Sequence, residues 1–238
     1  MAAITEFKKS LSWQMFNRIS KRYDFLNHLL SFGLDIHWRR CLLRFLPRRS
    51  DLRVLDLATG TADVPITLSK NCRNVAHAEG IDMAEEMLEQ GRKKILRKNL
   101  SDKIQLQKGD ANHTSFPDNS FDTVTMAFGI RNVEDPMIVF KEIYRVLKPK
   151  GRVLILEFSL PSNPFLRVLH LFYLRGVVPL IGGIISGNFS AYRYLNRTIE
   201  TFPYGRRFCR MLRQVGLQNV TPNQLMGGVA TIYQGEKI

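Results

Sequence analysis

Three apolar segments of the chain each end in small or acidic residues that could contact a nucleoside. The first ends at Asp56 and breaks into a turn at Gly60, which exposes backbone N–H groups beside the start of a helix. The second ends in Asp82, whose carboxylate can accept hydrogen bonds from both hydroxyls of a ribose, and the third leads into Asp110 and Ala111. These positions predict a ligand crevice at one edge of a sheet, with an ordinary strand–helix turn as the alternative.

A second set of reactive side chains lies outside those segments. In the N-terminal region Tyr23, Asp24 and His37 supply acid and base groups among aromatic residues, although such residues can also be satisfied parts of a core. Arg131 and Asn132 follow another strand candidate, and a guanidinium remains charged even in an apolar pocket. These side chains could stabilise or transfer charge beside a ligand held in the crevice.

Strand and helix patterns alternate through the chain and predict a doubly wound, mostly parallel α/β sheet with right-handed crossovers. The predicted strands are 54–57, 75–81, 104–108, 121–126 and 152–158, with helices at 136–147 and 204–215 and a closing hairpin of 217–222 and 227–234. Residues 4–46 have apolar residues at helical spacing and predict two or three short helices over the ligand edge of the sheet. We expect one seven-stranded domain, divided into an N-terminal helical cap (1–48), a ligand-binding core (49–160), an apolar insert (161–197) and a C-terminal helix with hairpin (198–238).

The insert has an apolar stretch close in length to a transmembrane helix. Arg167, Arg175, Pro179 and the glycine pair at 182–183 argue against a membrane span. We expect a cap helix followed by a mobile apolar loop, forming a wall for an apolar substrate. A buried helical insertion without a ligand is the alternative.

The net charge is +14, from 35 basic and 21 acidic residues, and it is concentrated in the first 50 residues. Such a charge favours an anionic partner, either nucleic acid or a membrane with acidic lipids, unless the basic residues form only a solvated face. The three cysteines have no CxxC spacing, so a disulfide framework or zinc site is not expected and a reducing compartment is. The N-terminus has no signal-peptide pattern.

The strand tips resemble the binding elements of the class I S-adenosylmethionine-dependent methyltransferases, whereas the G-x-G-x-x-G pattern of dinucleotide sites is absent. The resemblance implies a Rossmann-like fold and S-adenosyl-L-methionine as cofactor. It places Thr61 and the Gly60 turn at the methionine moiety, Asp82 on the ribose, and Asp110 with Ala111 at the adenine. Asp56 belongs to the same set. Ala62 is a departure, because family members commonly have a further glycine there.

Three motifs resemble, in order, those of the ubiquinone/menaquinone biosynthesis C-methyltransferases. The first is YDxxNxxLSxGxxxxW, from Tyr23 to Trp38. The second is an FGxRN-type segment from Phe128 to Asn132, and the third is RVLKPxGxxxxxEFS, from Arg145 to Ser159. Lys150 stands where glycine is usual in the third motif. Ala127 replaces a serine proposed to touch the cofactor, so we leave it out of the site.

This resemblance implies C-methylation of a polyprenylated quinol. Removal of a phenolic proton makes the neighbouring ring carbon nucleophilic, so the protein must supply a base and stabilise a phenolate. We assign phenolate stabilisation to Arg131 and orientation of the quinol oxygen to Asn132; His37, Tyr23 and Asp24 are equal candidates for the base. No metal is needed. The expected reaction is demethylmenaquinol to menaquinol, with benzoquinol methylation in ubiquinone biosynthesis as the alternative.

A polyprenylated quinol resides in the bilayer, so we expect a cytoplasmic enzyme that associates peripherally with the inner face of the membrane. The contacts would be the basic N-terminal segment, including Arg39, Arg40, Arg48 and Arg49, and the apolar stretch 165–185. More distant alternatives are an RNA methyltransferase and a non-catalytic membrane-surface protein, but we expect no nucleic-acid partner. The sequence leaves the prenyl length and the oligomeric state open.

Overall fold

The computed structural model describes residues 12–187 and 189–238. Its seven strands form one sheet: β1 (Leu52–Leu57), β2 (Val75–Asp82), β3 (Ile104–Lys108), β4 (Phe121–Ala127), β5 (Leu147–Phe158), β6 (Gln218–Leu225) and β7 (Ala230–Glu236). Their order is β3-β2-β1-β4-β5-β7-β6. The first five strands pair in parallel, and β7 pairs antiparallel with both β5 and β6. The predicted seven-stranded, mostly parallel sheet is confirmed.

The strand order places the ligand crevice. The chain runs outward from β1 to β3 on one side and from β4 onward on the other, so the connections diverge between β1 and β4. A crevice opens at the carboxyl ends of the strands at such a switch point. Nearly all residues of β1 and β4 are buried, as expected for central strands of a parallel sheet, although Asp56, Asp122, Thr123 and Thr125 are polar.

Nine helices are present in the described ranges: α1 (Ser12–Leu30), α2 (Leu34–Cys41), α3 (Asp63–Asn71), α4 (Glu85–Arg97), α5 (Pro136–Val146), α6 (Pro164–Phe172), α7 (Val178–Ser186), α8 (Phe189–Thr201) and α9 (Arg206–Gln214). The N-terminal cap is one 19-residue helix and a short second helix within residues 12–41, where two or three short helices were expected. The part of that prediction before residue 12 lies outside the described residues. α5 ends at Val146, and β5 begins at Leu147, five residues before its predicted start at 152.

The insert is helical, so the predicted mobile loop is wrong. α6 continues through one π-helical turn, Tyr173–Val177, into α7. The π turn comes directly before Pro179, which cannot donate a backbone hydrogen bond to the preceding turn. Gly182 and Gly183 lie so close to the rings of Tyr192 and Phe189 that a Cβ on either glycine would collide with them. The glycine pair therefore allows α7 and α8 to pack closely and does not mark a loop.

The same segment is the one helix in the described ranges that is long and apolar enough to cross a membrane. Pro164–Ile185 has 22 residues, and 22% of its most apolar window is buried inside the protein. The low buried fraction means that most of the helix surface faces outward, away from the core. That the helix could cross a membrane rests on its length and composition alone.

Candidate active site

Two pockets adjoin at the carboxyl edge of the sheet. The first, which we call the edge pocket, is lined by Gly60, Asp82, Asp110, Ala111 and Asn112, together with apolar side chains that include Met83 and Met87. The second, which we call the apolar pocket, lies under α1, α2, α6 and α8 and is lined by Trp38, Phe128, Phe158, Leu174, Tyr192 and further, mostly apolar residues. Four predicted binding residues thus lie together in the edge pocket, although Asn112 was not predicted.

Backbone donors hold the Asp82 carboxylate in place. The Gly60 N–H donates to Oδ2 and the Ala84 N–H donates to Oδ1, each over 2.8 Å. Burial raises the pKa of Asp82, and these backbone hydrogen bonds oppose the shift. Gly60 has a φ of +57°, and Ala62, at the N-cap of α3, has a φ of +65°. Both values lie in the left-handed region that favours glycine, which explains why glycine is the common residue at the position of Ala62.

Asp110 is held by its own loop. Its Oδ1 accepts hydrogen bonds from the Asn112 N–H over 2.9 Å and from Asn112 Nδ2 over 2.8 Å. A carboxylate has further lone pairs on both oxygens, so Asp110 can still accept from a ligand. The edge pocket therefore presents two oriented acceptors, one at the tip of β2 and one after β3.

A buried ion pair forms one wall of the apolar pocket. Arg131 Nη1 donates to Glu157 Oε1 over 2.7 Å and to the carbonyl oxygen of Phe128 over 2.5 Å. Arg131 is 4% exposed and Glu157 1%, and the guanidinium carbon lies 5.2 Å from the centre of the Phe158 ring. The two hydrogen bonds hold the guanidinium in place. Removing either partner of the ion pair would leave the other as an unpaired buried charge.

Several polar atoms around the apolar pocket are buried and have no hydrogen-bond partner among the described residues. They are Trp38 Nε1, Arg131 Nε, Asn132 Oδ1 and His170 Nε2. Buried polar atoms are normally paired, so a group of this kind around one cavity indicates a polar ligand. Two of these atoms belong to the predicted residues Arg131 and Asn132.

The two pockets share a wall. Phe16, Tyr23, Phe128 and Asn132 line both. Burial raises the pKa of the Tyr23 hydroxyl, so this side chain is a neutral phenol at pH 7 and serves as a hydrogen-bonding group in preference to a base. Molecules bound in the two pockets would meet at this wall.

Sequence comparison identifies the group of proteins that shares these features. The ubiE/COQ5 methyltransferase family matches residues 4–237. The chain belongs to this family. It is an S-adenosyl-L-methionine-dependent methyltransferase, as its sequence motifs predicted.

Curated relatives cover almost the whole methyltransferase. The ubiquinone/menaquinone biosynthesis C-methyltransferase UbiE of Geotalea daltonii is 43% identical over 224 residues, which are 94% of this chain and 95% of the relative. The demethylmenaquinone methyltransferase of Halalkalibacterium halodurans is 38% identical over 234 residues, 98% of this chain and 95% of the relative.

Solved structures share the fold. A SAM-dependent methyltransferase of Thermotoga maritima, described as a possible histamine N-methyltransferase, superposes with a TM-score of 0.66 at 20% identity, over 95% of this chain and 99% of that one. Phosphoethanolamine N-methyltransferase 2 of Haemonchus contortus, solved with S-adenosyl-L-methionine, gives a TM-score of 0.61 at 16% identity, over 82% of this chain and 51% of that one. The Rossmann-like methyltransferase fold is therefore confirmed.

Two residues predicted at the cofactor lie outside the edge pocket of this methyltransferase. Asp56 is buried beneath the turn, where Thr125 Oγ1 donates to its Oδ1 over 2.5 Å, and burial raises its pKa to about 7. The Thr61 side chain turns away from the pocket, and its hydroxyl donates to Asp24 Oδ1 over 2.6 Å. Neither side chain lines the edge pocket, and the assignment of both residues to the cofactor stays a prediction.

Asp24 belongs to a polar cluster centred on Lys94. Lys94 Nζ lies 2.9 Å from Asp24 Oδ2, 2.8 Å from Thr61 Oγ1 and 2.5 Å from Asp63 Oδ1. This cluster, which we call the Lys94 hub, joins α1, the Gly60 turn, α3 and α4. Asp24 lines neither pocket. In the structure Asp24 is a partner of Lys94 and Thr61, and its role as a base stays a prediction.

His37 also lies apart from both pockets. It is exposed on α2, and its Nε2 lies 3.5 Å from Cys41 Sγ, outside both pockets. The inward face of α2 carries Asp35, Trp38 and Arg39 instead. Of the three predicted bases, only Tyr23 reaches the site.

An unpredicted polar network supports the apolar pocket. Asp35 Oδ2 accepts from Arg39 Nη1 over 2.5 Å and lies 2.8 Å from His28 Nδ1, and Asp35 Oδ1 accepts from Ser31 Oγ over 2.7 Å. Burial would raise the pKa of Asp35, but Arg39 and Ser31 outweigh it and lower the pKa below its ordinary value. Spacing by four residues, as in Ser31, Asp35 and Arg39, was the signal that sequence reasoning overlooked. In the described part of the chain, no cluster of three or more His, Cys, Asp or Glu could hold a metal ion.

Proposed function

We propose that the protein transfers a methyl group from S-adenosyl-L-methionine to a ring carbon of a polyprenylated quinol. The observation that carries the proposal is the shared wall: an apolar pocket with a buried guanidinium adjoins a pocket with oriented carboxylates. An apolar pocket with a few oriented polar groups suits an aromatic ring that carries hydroxyls and a long hydrocarbon tail.

The edge pocket fits the cofactor. Asp82 retains acceptor capacity for the two ribose hydroxyls, and Asp110 with Ala111 lies one strand further along, where an adenine would follow. Gly60 has open space in front of it, since a Cβ there would meet only the end of Met87 at 3.4 Å. The turn therefore lets a ligand approach the backbone. When bound, S-adenosyl-L-methionine supplies an electrophilic methyl group on its sulfonium.

The apolar pocket supplies what a carbon nucleophile requires. A ring hydroxyl that passes its proton to a water, which carries it to solvent, would place electron density on the adjacent ring carbon. This carbon would bond to the methyl group as the methyl–sulfur bond breaks to leave a neutral thioether, and it would then release its own hydrogen as a proton. Arg131 keeps its Nε–H available while Nη1 is bound to Glu157, so it can donate to the developing phenolate. Asn132 can orient the same oxygen. The positive charge of Arg131 lowers the pKa of the phenol, and Asn132 helps to hold the hydroxyl beside the shared wall.

We favour a naphthoquinol as the substrate, which corresponds to the demethylmenaquinone reaction. Trp38, Phe128 and Phe158 form an aromatic wall, with ring centroids 4.5 Å apart for the two phenylalanines and 6.1 Å from Trp38 to each. A fused two-ring system gains more stacking area against this wall than a single ring does. The relatives' names include both ubiquinone/menaquinone and demethylmenaquinone enzymes, so a benzoquinol is the alternative.

Competition between the two ring types tests the choice. Reduced naphthoquinol and 6-methoxybenzoquinol analogues with the same short prenyl chain are mixed with the protein and S-adenosyl-L-methionine under argon. We expect kcat/KM for the naphthoquinol to be at least about tenfold higher, which corresponds to about 1.4 kcal/mol of transition-state binding. Equal values, or a preference for the benzoquinol, would refute a specific menaquinone role while leaving quinol methylation intact.

We further propose that the apolar pocket opens onto the membrane surface. Exposed apolar residues cover α6, α7 and the end of α1, and we call them the apolar face: Phe25, Leu29, Phe32, Phe165, Val168, Phe172, Leu180 and Ile184. The two parts are connected, because the Phe32 and Tyr173 rings lie 5.9 Å apart and Tyr173 Oη donates to the Leu30 carbonyl over 2.7 Å. Phe32 and Tyr173 also line the apolar pocket. A prenyl chain leaving the pocket at this point would pass directly into the bilayer.

Two of the four arginines proposed to bind acidic lipids are engaged within the protein. Arg39 is buried against Asp35, and Arg49 pairs with Asp122 over 2.9 Å at the start of β4, at the edge opposite the pockets. Arg40 and Arg48 are less constrained by ion pairs within the described residues. Attraction to the bilayer therefore depends chiefly on the apolar face, and charge contributes a smaller, salt-screened part.

A vesicle experiment tests this proposal. Phe165 and Phe172 are 71% and 72% exposed, so burying both in lipid contributes about 3 kcal/mol. The double variant Phe165→Ser/Phe172→Ser should bind vesicles of neutral and acidic phospholipid about a hundredfold more weakly in a co-sedimentation assay. Leu96→Ser is the control, because Leu96 is 69% exposed on α4, away from the apolar face. Binding of the double variant equal to that of the control would contradict a membrane role for this face.

A further inference from the structure

The polar atoms around the apolar pocket differ in what they can bind. Trp38 Nε1 and Arg131 Nε can only donate, whereas Asn132 Oδ1 can only accept. Asn132 Nδ2 faces the Phe128 carbonyl at 3.5 Å, so Oδ1 is the side-chain atom of Asn132 that has no partner within the described residues. The fourth atom, His170 Nε2, belongs to α6 on the insert. His170 lines the apolar pocket but not the edge pocket, so it is not part of the shared wall.

His170 is suited to accept a hydrogen bond. Burial lowers its pKa, so the imidazole is neutral at pH 7, and a neutral ring with its proton on Nδ1 presents a lone pair on Nε2. Tyr173 and Leu174, on the following turn, also line the apolar pocket. None of these residues carries a charge that would protonate the ring.

We propose that His170 Nε2 accepts a hydrogen bond from the second hydroxyl of the quinol, para to the hydroxyl held by Arg131 and Asn132. This inference rests on the proposed function and names a specificity residue for it. A quinol can satisfy all four atoms, because each hydroxyl both donates and accepts. A quinone has carbonyl oxygens only, so it would satisfy the two donors and leave Asn132 Oδ1 and His170 Nε2 unpaired. The pocket therefore selects the reduced ring, the only form whose carbon is nucleophilic.

Discrimination of this kind is strong when a site is built to pair a hydroxyl, because the analogue without the proton leaves a buried acceptor unpaired. We expect the parent protein to bind the quinol at least about tenfold more tightly than the quinone of the same prenyl length. Replacing His170 by phenylalanine should reduce that preference about threefold or more, because quinol binding weakens and the quinone no longer leaves a histidine acceptor unpaired; Asn132 Oδ1 retains the rest of the preference.

The test measures binding of a monoprenyl naphthoquinol and of its quinone, under argon, to the full protein in complex with S-adenosylhomocysteine. His170→Gln keeps an acceptor and should retain most of the preference, whereas His170→Phe should lose the part that His170 supplies. Arg167→Phe introduces the same aromatic group on α6 at an exposed position outside both pockets, and it should behave as the parent. Binding of S-adenosylhomocysteine itself reports that each variant is folded.

The outcomes separate the two proposals. If the parent methylates the quinol but His170→Phe retains the parent's preference for it, the role of His170 is overturned and the proposed function stands. Equal binding of quinol and quinone by the parent overturns the selection mechanism in the same way. If the parent binds neither form and methylates no prenylated quinol, both proposals fail.

Discussion

Arg131→Lys provides a sharp test of the site, because it separates charge from geometry. Lysine keeps a positive charge that can pair with Glu157, but it has one nitrogen where arginine has three. In the parent, Nη1 binds Glu157 and the Phe128 carbonyl, and Nε has no hydrogen-bond partner within the described residues. A lysine Nζ that remains at Glu157 therefore has no second nitrogen for the phenolate.

The structure sets the size of the effect. Loss of one oxyanion donor costs about two to three decades in kcat, or about 2.7 to 4 kcal/mol. Arg131 does not line the edge pocket, so the KM for S-adenosyl-L-methionine should change by less than about twofold. Arg131→Ala is a less informative change, since it leaves the buried Glu157 charge unpaired, and that costs about 3 to 5 kcal/mol of stability.

Steady-state kinetics with a short-chain naphthoquinol measure kcat and both KM values for the parent and for Arg131→Lys. Arg145→Lys is the matched control, because Arg145 also pairs with two carboxylates, Glu142 and Asp118, but lies outside both pockets. We expect the control to remain within about threefold of the parent. If Arg131→Lys also keeps kcat within threefold, Arg131 is a structural partner of Glu157, and the assigned chemistry is wrong.

Three further predictions follow from buried or bridging carboxylates and their partners. Asp82→Ala should weaken S-adenosylhomocysteine binding by roughly 1.5 to 3 kcal/mol in calorimetry, because charge-assisted bonds to the ribose are lost; unchanged affinity would remove Asp82 from the site. Lys94→Met should lower the free energy of unfolding in urea by about 1 to 3 kcal/mol, since three oxygens lose their cation, whereas Lys93→Met, with one exposed contact of 3.6 Å to a glutamate, should change it by less than about 0.5 kcal/mol. Equal losses for the two lysines would refute the hub. Burial raises the pKa of Asp56 to about 7, so between pH 4 and 7 the folded protein keeps a proton that the unfolded chain has released. The free energy of unfolding should therefore fall by about 1.4 kcal/mol for each unit that the pH rises in this range. Asp56→Asn should make that decline shallower than in the parent. Parallel pH profiles for parent and variant would show that Asp56 ionises normally.

The ligand edge could be predicted from the sequence because strand tips are constrained. A parallel sheet brings its carboxyl ends together, so Gly60, Asp82, Asp110 and Ala111 had to share an edge once the strands were assigned. Asp56 is on β1, the strand that leads into the Gly60 turn, but it lies four residues before Gly60 and inside the sheet. Position along a strand thus separates a tip residue from a buried one.

The site residues on helices were harder to predict, because the direction of a side chain around the helix decides whether it lines a pocket. Tyr23 and Asn27 are four apart and both reach the apolar pocket, whereas Asp24 lies about 100° around the helix and meets Lys94 instead. The same periodicity places Trp38 inward and His37 outward on α2. Counting helical faces would have separated these residues, whereas chemical type alone could not.

The predicted loop in the insert was wrong because the glycine and proline residues there have packing roles. Glycine and proline normally indicate a loop, but here Gly182 receives the Tyr192 ring and the π turn accommodates Pro179. His170 was missed for a related reason: a single histidine in an apolar run carries no pattern until the helix is placed over a pocket. Tertiary packing determined both outcomes.

The most direct test of the account follows the methyl group itself. The protein is incubated with S-adenosyl-L-methionine carrying a CD3 group and a short-chain demethylnaphthoquinol, and the extracted quinone is examined by mass spectrometry and NMR. The account predicts one CD3 group on the ring carbon beside the prenyl-bearing carbon, with the Arg131→Lys protein giving about a hundredth of the label or less. Label on a quinol oxygen, or an unlabelled ring after complete incubation with folded, cofactor-binding protein, would contradict carbon methylation at this site.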